Sequence, residues 1–180
     1  VMAAASSASF DVEANILALL FGLLADGVTL WGGRIGPQLL VLGAGVWVLG
    51  APLFMGIGLA LLPDRVESAL PLSWAWRLEI WKSVLDQIRD APLFGHGLDS
   101  MRALSDPAPY RDIIIDRLPL HAHNAGLHIW MDAGALGAIL CAATLFAAIG
   151  AFEHARLSRD QLAGLTYVGG VWLVSVMLGY

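Results

Sequence analysis

Long apolar blocks alternate along this chain with one extended polar stretch. Residues 1–13 are small and polar and end in the acidic pair Asp11 and Glu13. An apolar run follows over residues 14–30, interrupted by Asp26, and closes on Trp31-Gly32-Gly33-Arg34. Tryptophan there suits the headgroup level of a bilayer. Residues 36–62 are apolar throughout, with Gly50-Ala51-Pro52 near the middle. They read either as one long helix kinked at Pro52 or as a hairpin of two half-length helices. Each half would be only about 20 Å long, so length favours the single helix. Two further runs, 124–152 and 162–180, flank a short polar loop at 153–160. A helix crossing a bilayer needs about 20 residues, and these blocks supply them.

The polar stretch, 63–121, holds most of the titratable residues. Within it, apolar residues recur at 74, 78, 81, 84, 85 and 88, a helical spacing, while Arg77, Glu79, Lys82, Asp86 and Arg89 occupy the other face. This predicts an amphipathic helix over 74–89 that lies on the membrane surface or packs on the transmembrane bundle. Ala91-Pro92 breaks it, and Phe94-Gly95-His96-Gly97 forms a turn. Short basic loops stay cytoplasmic, so Arg156 and Arg159 put the 153–160 loop inside. His121 and His123, at the other end of the 124–152 span, then face outside.

The expected fold is all-α: a polytopic integral membrane protein with a long external, periplasmic loop. Residues 1–62 form transmembrane segments, 63–123 the loop with its amphipathic helix, and 124–180 two transmembrane helices joined by a short cytoplasmic loop. Composition agrees. Of 180 residues, 58% are hydrophobic and 14% charged, against about a quarter charged in soluble domains. The net charge of −5 has no basic cluster, which argues against a nucleic-acid partner. The single cysteine, Cys141, lies in an apolar run and reads as a small core residue. No basic segment precedes the first apolar block, as a signal peptide would require. Val1 at the start and an unanchored last run suggest a piece of a longer polytopic protein.

The candidate chemistry gathers at Leu120-His121-Ala122-His123-Asn124, where the polar loop meets an apolar helix. Asn124 suits an N-cap. His121 and His123 would share a face of an extended segment and could hold zinc, but no third ligand is spaced to help. His128 and Asp132 stand i, i+4 on the span, on the face of Asn124. They form either a network under the site or a helix–helix lock, with the lock favoured. His96 reads as an exposed turn residue and His154 as inert.

Three elements together resemble the O-antigen ligase family. They are Arg77-x-x-x-Trp81, Ala91-Pro92-Leu93-Phe94-Gly95-His96-Gly97, and His123-Asn124 followed after nine residues by Gly134 and after two more by Gly137. The resemblance covers roughly residues 22–152. Arg34 takes the place of an arginine that the family carries ahead of the Arg-x-x-x-Trp element, although Gly33 stands where serine is usual. If Arg34 and Arg77 face the same side, the chain between them must cross twice or not at all.

The resemblance implies a bacterial inner-membrane glycosyltransferase, its site facing the periplasm, that needs neither metal nor cofactor. It would move a glycan from undecaprenyl pyrophosphate to a lipid A-core sugar hydroxyl and invert the anomeric carbon. A glycan polymerase or a protein-glycosylating member shares the motif, and a non-catalytic transporter or channel is the reading from another class. Besides donor and acceptor, the expected partners are membrane lipids. The implied roles suit the residue types. Arg77 and Arg34 would bind pyrophosphate, for which a permanently charged planar fork is suited. His123 would accept the acceptor's proton, and His121 and Asn124 would bind substrate. Gly134 and Gly137 read as structural, permitting close helix packing.

Overall fold

The computed structural model describes residues 2–110, 113–154 and 157–179. In chain order it contains α1 (Met2–Gly32), α2 (Ile35–Ala60), α3 (Asp64–Ala69), α4 (Leu72–Asp90), α5 (Ser100–Ala103), β1 (Pro107–Tyr110), β2 (Ile113–Asp116), α6 (Ala125–His154) and α7 (Arg159–Gly179). The protein is mostly helical. Among the described residues, three stretches are long and apolar enough to cross a membrane: Asn15–Gly32, Ile35–Ala60 and Ala125–Gly150. Much of their apolar surface points outward, as at Leu24, Leu53 and Leu140. The 162–180 run does form a helix, α7, but α7 is not among these three. Arg156, on which the cytoplasmic reading of the 153–160 loop partly rests, lies outside the described residues, as does Tyr180.

Two features differ from an all-α chain of plain spans. Residues 107–116 form a small antiparallel hairpin in which Pro107 faces Asp116 and Tyr110 faces Ile113. Two prolines deny this segment a helix, and three consecutive isoleucines favour a strand. The other feature is α2, which is one helix across Pro52, so the hairpin alternative does not form. Proline lacks an N–H, which strips the Val48 carbonyl of its helical donor. The Trp130 indole N–H of α6 donates to that carbonyl instead, at 2.8 Å. In an apolar setting an unsatisfied carbonyl costs several kcal/mol, so Trp130 makes the internal proline tolerable.

The chain divides into two compact units: residues 1–47 with 140–179, and residues 48–139. In the first unit α1 and α7 pack through small residues. A Cβ at Gly22 would stand 2.5 Å from the Val171 side chain, and one at Gly170 would stand 3.3 Å from the Gly22 Cα. Arg159 donates to the Leu30 carbonyl at 3.3 Å.

The second unit carries the polar stretch. The amphipathic helix forms as expected, slightly longer, as α4. It packs on other elements. Leu78, Ile80, Trp81, Val84, Leu85 and Ile88 are buried with Ala51 of α2, Met101 of α5, and Leu127 and Met131 of α6. On the polar face Lys82 pairs with Glu67 of α3 at 2.7 Å and Glu79 at 2.9 Å.

Candidate functional site

The site is built on α4. Arg77 and Trp81 are one helical turn apart and share a face. The buried Trp81 indole donates to the Ala122 carbonyl at 3.0 Å, pinning the backbone between His121 and His123. One turn earlier, Trp76 donates to the Asp116 carbonyl at 2.8 Å, fixing the end of β2. Trp74 lies under the guanidinium of Arg77, 5.2 Å from ring centroid to Cζ. Three tryptophans therefore hold the loop and the arginine to one helix.

Asp116 secures the approach to the loop. One carboxylate oxygen accepts from the Ser105 hydroxyl at 2.6 Å. The other accepts from the backbone N–H groups of Asp106 at 2.9 Å and Leu118 at 3.0 Å. Burial works against its ionisation, but these donors outweigh it and hold the carboxyl below its ordinary range. Arg117 adds an ion pair to Asp106 at 2.6 Å.

The loop then delivers His123 in a left-handed conformation, φ 48°. A non-glycine residue there is strained, and such strain clusters at functional positions. His123 is half-buried, and its Nδ1 is enclosed without a hydrogen-bond partner among the described residues. Burial lowers its pKa, and the charges of Arg77 and His121 lower it further, to about 4. His123 is therefore held neutral at physiological pH, with Arg77 and His121 as its electrostatic neighbours.

Asn124 caps α6. Its side-chain oxygen accepts from the Leu127 N–H at 3.2 Å, and its backbone carbonyl accepts from the His128 N–H at 2.9 Å. It is 3% exposed, so its oxygen serves the helix end. The first N–H groups of α6 add a positive end beside Arg77 and favour an anion.

The glycine after nine residues does more than permit close packing. Gly134 takes φ 60°, ψ −158°, which breaks α6 into 125–133 and 135–154. A break orphans carbonyls before it and N–H groups after it. The turn following α4 satisfies both sets. The N–H groups of His96 and Gly97 donate to the carbonyls of Met131 and Asp132, at 2.8 and 2.9 Å. The carbonyls of Pro92 and Leu93 accept from the N–H groups of Ala135 and Leu136, at 2.9 and 3.1 Å. The Pro-Leu-Phe-Gly-His-Gly element and the His-Asn-x9-Gly element are thus one interlocked structure. The His96 ring is exposed and lies 2.9 Å from the Gln87 carbonyl. Gly137 sits one turn past the break, where a Cβ would collide with the Ala133 side chain.

Arg77, His121, His123 and Asn124 all belong to the second unit. Arg34 belongs to the first, exposed on the turn between α1 and α2. Sequence reasoning missed Asp116, Trp76, Ser100 and the helix break. A glycine after an aspartate inside an apolar run was the available signal for the break. Among the described residues no three His, Cys, Asp or Glu side chains converge as a metal site.

The chain is thus mostly helical, with three described stretches suited to a membrane and with Arg77 near enough to His123 to lower its pKa. The O-antigen ligase family model matches residues 12–142, and the chain belongs to that family. Its curated relatives include proteins named "Putative polysaccharide ligase". The one from Rickettsia typhi is 25% identical over 137 residues, 72% of this chain and 34% of the relative. The one from Rickettsia conorii is 33% identical over 100 residues, 52% of this chain and 24% of the relative. The one from Rickettsia prowazekii is 26% identical over 137 residues. The chain thus spans about a third or less of the length of these relatives. No solved structure matches it.

Proposed function

We propose that this site transfers a glycan from undecaprenyl pyrophosphate to a sugar hydroxyl of a lipid A-core acceptor, at the periplasmic face of the bacterial inner membrane. The observation that carries the reading is the Trp81–Ala122 hydrogen bond, which sets His123 within the field of Arg77.

Arg77 binds the donor pyrophosphate, aided by the positive end of α6. His123, neutral at physiological pH, takes the proton of the acceptor hydroxyl. That oxygen bonds to the anomeric carbon as the carbon–oxygen bond to pyrophosphate breaks on the opposite face, which inverts the centre. The leaving undecaprenyl pyrophosphate keeps the electron pair, and the imidazolium returns its proton to water. No metal enters this scheme, because Arg77 and the helix end meet the developing charge. A pKa near 4 makes His123 a weak base in the empty site. The incoming pyrophosphate charge raises its proton affinity when the substrate is bound.

Asn124 shapes the helix start in this proposal, and His121 contacts the acceptor. Arg34 stands outside the site. A single crossing by α2, one helix over Ile35–Ala60, would put Arg34 and Arg77 on opposite membrane faces, which is the reason this proposal leaves Arg34 out. The decisive experiment is His123→Ala in the full-length protein, in a host whose surface glycan can be stained. The expected result is loss of the glycan at normal protein level; unchanged glycan at normal level overturns the assignment. Cysteine-accessibility labelling at position 33 tests the placement of Arg34, with labelling from the inside only as the expected outcome.

A further inference from the structure

A second line of polar side chains runs to the loop that carries His123. It begins at Ser100, the first residue of α5, whose hydroxyl donates to Asp132 Oδ1 at 3.3 Å. The other carboxylate oxygen of Asp132 lies 3.4 Å from His128 Nε2. The His128 ring faces that of His121, with centroids 6.3 Å apart and planes inclined at 43°. Asp132 is held at a third point, since its backbone carbonyl accepts from Gly97.

The side chains of His128 and Asp132 are only 21% and 12% exposed, in a helix otherwise suited to lipid. Ionisable groups in such a place are costly and mark function more often than structure. A lock between two spans was the favoured expectation from sequence. Besides His128, Asp132 meets a serine on a four-residue helix of the polar stretch. That contact aims the carboxylate from the polar stretch. At the far end His121 is exposed on the loop, and the His128 ring is one of its neighbours.

We infer that Asp132 and His128 are positioning residues that orient His121 toward the acceptor sugar. This deepens the glycan-transfer reading and rests on it. Asp132 fixes the His128 imidazole, whose ring in turn limits the orientations open to His121. His121 then presents a nitrogen to an acceptor hydroxyl while His123 takes the proton.

The test is a double-variant cycle in membranes of the host, which supply its own donor and acceptor to the full-length protein. Asp132→Asn and His121→Ala each lower the transfer rate about tenfold. The double variant is no slower than His121→Ala alone, because both changes remove one function. Asp132→Glu restores most of the rate, and protein level and melting temperature stay at the wild-type values. A wild-type rate for Asp132→Asn, or losses that multiply to about a hundredfold in the double variant, overturns the proposal. If Asp132→Asn does not accumulate, His128→Gln with His121→Ala reads the same coupling. Retained transfer in His123→Ala overturns the choice of base, and the cycle between positions 121 and 132 still reports on its own.

Discussion

Gly95 and Gly134 face each other so closely that neither position has room for a side chain. A Cβ on Gly134 would stand 2.6 Å from the Gly95 nitrogen and 2.5 Å from the Leu93 carbonyl carbon. One on Gly95 would stand 2.6 Å from the Asp132 carbonyl and from the Ala133 nitrogen. Both residues also have positive φ, 66° and 60°. The obstructing atoms are backbone, which cannot swing aside. Either Gly→Ala change is therefore expected to cost about 3 kcal/mol, from left-handed strain and overpacking together. It would also free the carbonyls of Met131 and Asp132 from their donors. Thermal unfolding of the purified full-length protein measures the loss; a melting temperature equal to wild type would show that the interlock does not form.

That interlock shows how far the sequence could be read. The apolar blocks, the amphipathic spacing around Trp81 and the cap at Asn124 were all visible, because each is a local pattern. The coupling of Gly95 to Gly134 was not, since it joins positions 39 residues apart through backbone groups that leave no compositional trace. The Val48–Trp130 bond was hidden for the same reason. Pro52 announced a missing donor but not the tryptophan that replaces it. The depressed pKa of His123 also needed the fold, because burial and the approach of Arg77 arise only once α4 and the loop are packed. The β1–β2 hairpin escaped notice because its prolines masked a short strand pairing that Asp116 completes.

Trp130→Phe keeps the ring and removes the donor to Val48. The exposed carbonyl is expected to cost about 1–3 kcal/mol, read as a lower melting temperature. Pro52→Ala restores a backbone N–H one turn after Val48. In that background the Trp130→Phe loss should shrink to less than half. An unchanged loss in the Pro52→Ala background would mean that Trp130 acts by packing alone.

Trp81→Phe separates anchoring from bulk in the same way. It removes the hydrogen bond to Ala122 while preserving most of the buried aromatic surface. His123 then loses the tie that fixes it beside Arg77. A misplacement of about 1 Å can cost on the order of a hundredfold in rate. The expected phenotype is a transfer rate at least tenfold lower, with a melting temperature reduced by a few degrees. The rate in host membranes and thermal unfolding check the two halves independently. A rate equal to wild type would remove the carrying observation of the proposed function.

The protonation of His123 sets a pH signature. Its folded pKa is about 4, below the unfolded value of 6.5. The folded protein therefore prefers the neutral ring. Stability from this preference is fully present above pH 6.5 and is lost as pH falls from there toward 4. His123→Gln, which cannot be protonated, should lose less stability than wild type across that window. Transfer activity in the wild type should persist below pH 6 at subsaturating donor, with its acidic limb well under the ordinary imidazole value, because the free enzyme governs that regime. At saturating donor the bound pyrophosphate should move the limb upward. Rates measured in host membranes from pH 4.5 to pH 8 at two donor levels distinguish the cases. An acidic limb at 6.5 under both conditions would show that His123 is neither buried nor influenced by Arg77 in the working enzyme.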